Sequence, residues 1–160
     1  MVDIGELPGT PTAFDFMIFT GNSSNAGEWV FAAYPTSVTV RSGAGVSGSD
    51  RITLIWADGT YTRTWVKVVV LPTANIGLPV AEIIYFGNAI GETGDSSVDA
   101  MVTPADEIGA RNNPHTIVDP APIEDPYDFD RDTLVGPADE ITARNNATNF
   151  FTALKLITAP

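Results

Sequence analysis

Apolar and polar residues alternate with period two through the N-terminal half of the chain, in short runs separated by turn formers. The runs are residues 14–20, 29–33, 37–41, 51–56, 61–71 and 81–86, all rich in β-branched and aromatic side chains. In residues 51–56, Ile52, Leu54 and Trp56 fall on one face. In residues 61–71, Thr64, Val66, Val68 and Val70 share one face, and Arg63, Trp65 and Lys67 share the other. Such alternation is the mark of half-buried antiparallel strands. Asp58-Gly59, between two of the runs, predicts a hairpin joining residues 51–56 to residues 62–70. The expected fold is mainly β with a small α part: an Ig-like antiparallel β-sandwich over residues 1–84, then a different unit over residues 85–160.

In that second stretch the period changes and the sequence repeats itself after 33 residues. Asp95-Ser-Ser-Val-Asp-Ala-Met-Val-Thr-Pro-Ala-Asp106 is followed by Asp128-Phe-Asp-Arg-Asp-Thr-Leu-Val-Gly-Pro-Ala-Asp139. Acidic residues stand at positions 1, 5 and 12 of each twelve-residue frame, and Asp130 adds position 3 in the second. Oxygen ligands at positions 1, 3, 5, 7, 9 and 12 are the spacing of an EF-hand calcium loop. The candidate ligands of the first frame are Asp95, Ser97, Asp99, the carbonyl of Met101, Thr103 and Asp106. Those of the second are Asp128, Asp130, Asp132, the carbonyl of Leu134 and Asp139. Up to two Ca²⁺ ions are expected, the second loop binding more tightly through its extra carboxylate. Val102 and Val135, at position 8, are expected to join the two loops through a short backbone pairing.

A helix should begin as each loop ends. Thr103 suits the N-cap, Pro104 the first helical position and Asp106 the third, and Gly136-Pro137-Ala-Asp139 repeats the arrangement. Ile108 and Ile141 are expected to face inward. The helices should close at Asn112-Asn113 and Asn145-Asn146, where asparagine tolerates a left-handed residue.

These loop-helix repeats resemble a type I dockerin, whose repeats run D-x-[ND]-x-D-G-x-[VI]-[ND]-x-x-D into one helix. The chain also resembles the C-terminal part of a group of large planctomycete secreted or surface proteins. Those carry strand segments like Gly45-Val-Ser-Gly-Ser-Asp-Arg-Ile-Thr-Leu-Ile-Trp56, then Tyr85-Phe-Gly-Asn-Ala-Ile-Gly-Glu-Thr-Gly94, then such repeats. The resemblance implies an extracellular or cell-surface, non-catalytic module that binds calcium and engages a cohesin-like or other surface protein. It also leaves open an accessory carbohydrate-binding tail of a polysaccharide-degrading enzyme, or a structural sandwich with degenerate repeats. Two departures stand out. The glycine of position 6 is replaced by Ala100 and Thr133, where strain is expected. Positions 10 and 11, where the family commonly carries Ser or Thr for its partner, are Pro104-Ala105 and Pro137-Ala138.

Charge agrees with this division. The net charge is −12, and residues from Glu82 onward hold 14 acids against 4 bases. Clustered Lys and Arg are absent, which excludes nucleic acid as a partner. There is no cysteine, so disulfides and thiolate sites are excluded. No apolar run is long enough for a membrane span, and Met1-Val-Asp-Ile-Gly-Glu6 lacks the basic and apolar regions of a secretory signal. Gly43-Ala-Gly45-Val-Ser-Gly48 spells a dinucleotide fingerprint but leads into a strand, which makes it an interstrand loop. Trp29, Trp56, Trp65, Tyr34 and Tyr61 are read as packing residues rather than a sugar platform, with Trp65 the most open of them. His115 lies in a four-proline connector over residues 113–126 and is expected to be exposed and inert. The apolar segment of residues 150–157 is expected to clasp residues 83–86 or the repeat helices.

Overall fold

The computed structural model describes residues 1–158, so the last two residues of the expected second domain lie outside the described residues. Seven strands and two α-helices follow in the order β1 Val2–Ile4, β2 Phe16–Gly21, β3 Val30–Phe31, β4 Ser37–Arg41, β5 Asp50–Ile55, β6 Thr64–Val70, β7 Glu82–Asn88, α1 Pro104–Asn112 and α2 Pro137–Asn145. Contacts cluster into two units. One holds Met1–Gly21, Ala26–Tyr61 and Trp65–Phe86; the other holds Asn22–Asn25, Thr62–Thr64 and the chain from Gly87 onward.

The strands form two antiparallel sheets, β1-β5-β4 and β3-β2-β6-β7. Both sheets supply one apolar core, with Val2, Ile4 and Ile52 from the first and Phe16, Ile18, Val66, Val68 and Val70 from the second. The register explains the pattern. Phe16 faces Val70 and Ile18 faces Val68 across β2 and β6, so the alternate residues of both strands turn to the same side. Fully burying side chains of this size stabilises by about 1.5–3 kcal/mol each, before the entropy of ordering them is subtracted.

The expected hairpin between β5 and β6 does not form: β5 pairs with β1 and β4, and β6 with β2. The turn itself is present, with the Thr60 amide donating to Ala57 at 3.1 Å and Gly59 at φ 75°. Asp58 is not among the residues with positive φ. A two-residue hairpin of the type that Asp-Gly favours needs positive φ at both central positions; with only one, the flanking strands diverge. They enter different sheets, and Ile52 of one and Val66 of the other belong to the same core. The strand β1 was not legible in the pattern, since three residues are too few to show alternation. Residues 43–48 form a loop between β4 and β5 with one short 3₁₀ turn at Val46–Gly48.

Aromatic residues pack as pairs. Trp29 is buried, stacked on Trp65 at 6.4 Å and meeting Tyr85 edge-on at 5.7 Å. Trp65 is therefore not the open ring that the pattern suggested. Trp56 and Tyr61 both donate to the carbonyl of Ala33, at 2.9 and 2.8 Å. Phe14, Phe31 and Tyr34 are exposed and meet edge to face, with Phe14–Tyr34 planes at 65° and Phe31–Tyr34 planes at 74°. Rings so inclined do not make one flat stacking surface.

In the second unit, α1 starts at Pro104 behind the Thr103 N-cap, whose hydroxyl accepts from the Ala105 amide at 3.1 Å. The helices close differently from the expectation. Asn113 and Asn146 have φ of −124° and −105°, neither left-handed. Each instead donates its side-chain amide to the carbonyl four residues back, Gly109 and Thr142, at 2.9 Å. These bonds satisfy carbonyls that the helix end leaves without a partner. Ile108 and Ile141 are about half exposed, at 48% and 50%, rather than inward; Ala110 and Ala143 are the buried apolar positions. The helices are cross-linked by Arg111–Glu140 and Arg144–Glu107 pairs at their surface. Gly91 has φ 86°, and a Cβ there would stand 2.8 Å from the Ala143 Cα, so only glycine lets this loop approach α2. Among the described residues, no helix is long and apolar enough to cross a membrane.

Two further expectations change. Val135 pairs with His115 rather than with Val102, through reciprocal bonds of 3.2 and 3.1 Å. Val102 bonds instead to Thr148, by backbone at 2.9 Å and through the Thr148 hydroxyl at 2.8 Å. His115 is half-buried rather than exposed: its Nδ1 lies 3.0 Å from the Asp119 carbonyl and its Nε2 3.4 Å from the buried Asp125. The C-terminal segment docks on the first loop, Leu154 bridging Ala100, while Asn22 brackets it by bonds to the Ala153 carbonyl and the Lys155 amide. Phe150 and Phe151 stay exposed.

Candidate metal centre

Each loop before a helix gathers three carboxylates. Glu92, Asp95 and Asp106 offer oxygens that lie within 4.8 Å of one another, and so do Asp128, Asp130 and Asp139. Each triad has the spacing to hold one metal ion.

The second loop shows how the arrangement is built. Asp139, at the third position of α2, is buried and accepts from the Gly136 amide at 2.9 Å and the Phe129 amide at 2.9 Å. Asp128, also buried, accepts from the Asp132 and Thr133 amides at 3.2 and 3.0 Å. Asp130 accepts from the Asp132 amide at 3.2 Å. Asp132 turns aside, capping the Leu134 amide at 2.8 Å. Thr133 holds φ at 74°, the left-handed conformation that glycine adopts freely and a β-branched residue adopts rarely.

The first loop repeats these bonds with a different start. Asp106 is buried and accepts from the Thr103 amide at 2.7 Å and from the Thr93 amide and hydroxyl at 2.9 and 2.8 Å. Thr93 thus stands where Phe129 stands in the second loop, and the residue before it, Glu92, takes the place of Asp128. Asp99 caps the Met101 amide at 3.2 Å, as Asp132 caps Leu134. Asp95 then corresponds to Asp130. Counted between equivalent residues, the first loop runs from Glu92 to Asp106 and the second from Asp128 to Asp139, three residues shorter. Ser97 is exposed, and Asp99 lies outside the first triad. The Thr103 hydroxyl is committed to the helix cap. Ala100, unlike Thr133, is not among the positive-φ residues; it is buried and bridges Leu154.

Sequence reasoning missed Glu92 because the frame was anchored on the best-matching part of the repeat. Identity is nearly continuous from Pro104 and Pro137 onward, but residues 95–101 and 128–134 share only two positions. That fading was the available signal of a length change in the loop.

Burial and mutual repulsion raise several carboxyls of the two triads. Burial, then the charges of Asp106, Asp95 and Asp99, push the Glu92 carboxyl above its ordinary value. Burial with Asp106 and Asp99 does the same to Asp95, and burial with Asp132, Asp139 and Asp128 to Asp130. No lysine or arginine is ion-paired to either triad among the described residues. The donors are all oxygen, which suits a hard cation rather than zinc or copper. Ligands 2.3–2.6 Å from a shared calcium lie no more than about 5 Å apart, and the oxygens of each triad fall within that limit. Each carboxylate oxygen that accepts one backbone N–H retains a second lone pair for an ion.

No family model, curated protein or solved structure matches this chain.

Proposed function

We propose that this protein is a non-catalytic calcium-binding interaction module, ordered by up to two Ca²⁺ ions and acting at the C-terminal end of a secreted or surface protein. The observation that carries the proposal is the pair of carboxylate triads, built on matching backbone hydrogen bonds and each closed by the third residue of a helix. Without a cation the acids of each triad repel; with one, binding adds to stability by mass action, about 2.7 kcal/mol per site at a hundred times the Kd. Half-exposed Ile108 and Ile141, at matching positions of α1 and α2, give the module an apolar contact surface for a cohesin-like or other surface protein.

Calcium titration by calorimetry tests this. Two sites are expected, with Asp106→Asn removing one and Asp139→Asn the other. Absence of binding up to millimolar calcium would make the loops relics and sink the proposal.

A further inference from the structure

We propose that the cleft between the edge strands β1 and β7 is a docking groove for an extended basic peptide segment. The inference concerns the β unit alone and is independent of the metal sites. The cleft has a volume of about 530 Å³, with Val2, Ile4 and Ile84 along its apolar lining and Glu6 and Glu82 beside them.

Its position sets the kind of ligand. β1 ends one sheet and β7 ends the other. The outward N–H and C=O groups of an edge strand have no strand partner, and an extended peptide supplies one. Such a peptide turns alternate side chains to one face, matching the i, i+2 placement of Val2 and Ile4 on β1.

Charge sets its sign. Three carboxylates, of Asp3, Glu6 and Glu82, line the cleft, and no lysine or arginine does. Asp3 is already paired with Arg51 at 2.8 Å. Glu6 and Glu82 make no side-chain hydrogen bond or ion pair among the described residues. A second copy of this chain, at net charge −12, is a poor occupant; a segment alternating apolar and basic residues is a good one.

Glu6 lies in the turn that follows β1, at φ 49° in the left-handed region. The neighbouring wall is shaped by Gly77, at φ 76°, where a Cβ would fall 2.8 Å from the Pro8 ring.

The test uses the full chain and a capped hexapeptide of alternating Val and Lys. Amide shifts on binding are expected at Val2–Ile4 and at residues 82–84. The double variant Glu6→Gln, Glu82→Gln should weaken binding roughly threefold to tenfold, the range for two exposed ion pairs, and added salt should weaken the native complex in the same way. The proposal is overturned if a Val/Glu hexapeptide binds as tightly, if the double variant binds unchanged, or if no Val/Lys binding is seen at millimolar peptide. Spermidine binding as tightly as the peptide would also overturn it, since the cleft would then recognise charge without a strand.

Discussion

Replacing Thr133 by glycine should make the second loop more stable, although it deletes a side chain. Thr133 holds φ at 74°, a conformation that costs an L-residue about 1–2 kcal/mol. Its side chain is exposed and makes no hydrogen bond among the described residues. Its amide bond to Asp128 and its carbonyl bond from the Ala121 amide are backbone bonds, which glycine keeps. Against the relief stands the greater freedom of glycine in the unfolded chain, about 0.5–1 kcal/mol. The net gain is about 0.5–1 kcal/mol. With a urea slope of about 2 kcal/mol/M, the midpoint should rise by about 0.25–0.5 M. The assay is urea unfolding followed by amide resonances of residues 121–143, with and without calcium. Ala100→Gly is the control, because Ala100 is buried and has no positive φ to relieve. It should destabilise by about 1–2 kcal/mol, from lost methyl burial and added chain entropy. If Thr133→Gly leaves the midpoint unchanged or lowers it, the second loop is not held in the strained conformation described here.

Three other outcomes follow from the same structure. Glu92→Gln should cost the first loop most of its calcium affinity and Ser97→Ala almost none, measured by calorimetry; the reverse ranking would restore a frame that starts at Asp95. Asp15, 4% exposed, accepts bonds from Thr12, Thr73 and Asn75, so Asp15→Ala should destabilise the β unit by about 2–4 kcal/mol in chemical denaturation by leaving those donors unpaired. The Arg51 guanidinium, and then the Val46 amide, hold the Asp3 carboxyl at about 2 against an ordinary 3.8. A depressed carboxyl stabilises the fold fully above 3.8 and loses that contribution as pH falls through about 2, so the stability gap between wild type and Asp3→Asn should close across this window and stay constant above pH 5.

What the sequence by itself determined is local. Runs rich in β-branched and aromatic residues located six of the seven strands among the described residues, with one-sided burial written into alternate positions most clearly in β2 and β6. Thr103-Pro104 and Gly136-Pro137 marked both helix starts, because capping depends on residues within one turn. The acidic repeats likewise pointed to the two loops that gather carboxylates. Tertiary structure decided what depends on distant partners. Asp58-Gly59 turns the chain, but the backbone angle at Asp58 and the shared core send β5 and β6 into different sheets. Val102 and Val135 each find a backbone partner, Thr148 and His115, that no spacing rule names. Glu92 enters the first triad because the Thr93 amide, not a residue of the repeat frame, closes on Asp106. A repeat compares positions along the chain, whereas a metal site is assembled from whichever oxygens the fold brings within a few ångströms, and a three-residue difference in loop length is enough to separate the two.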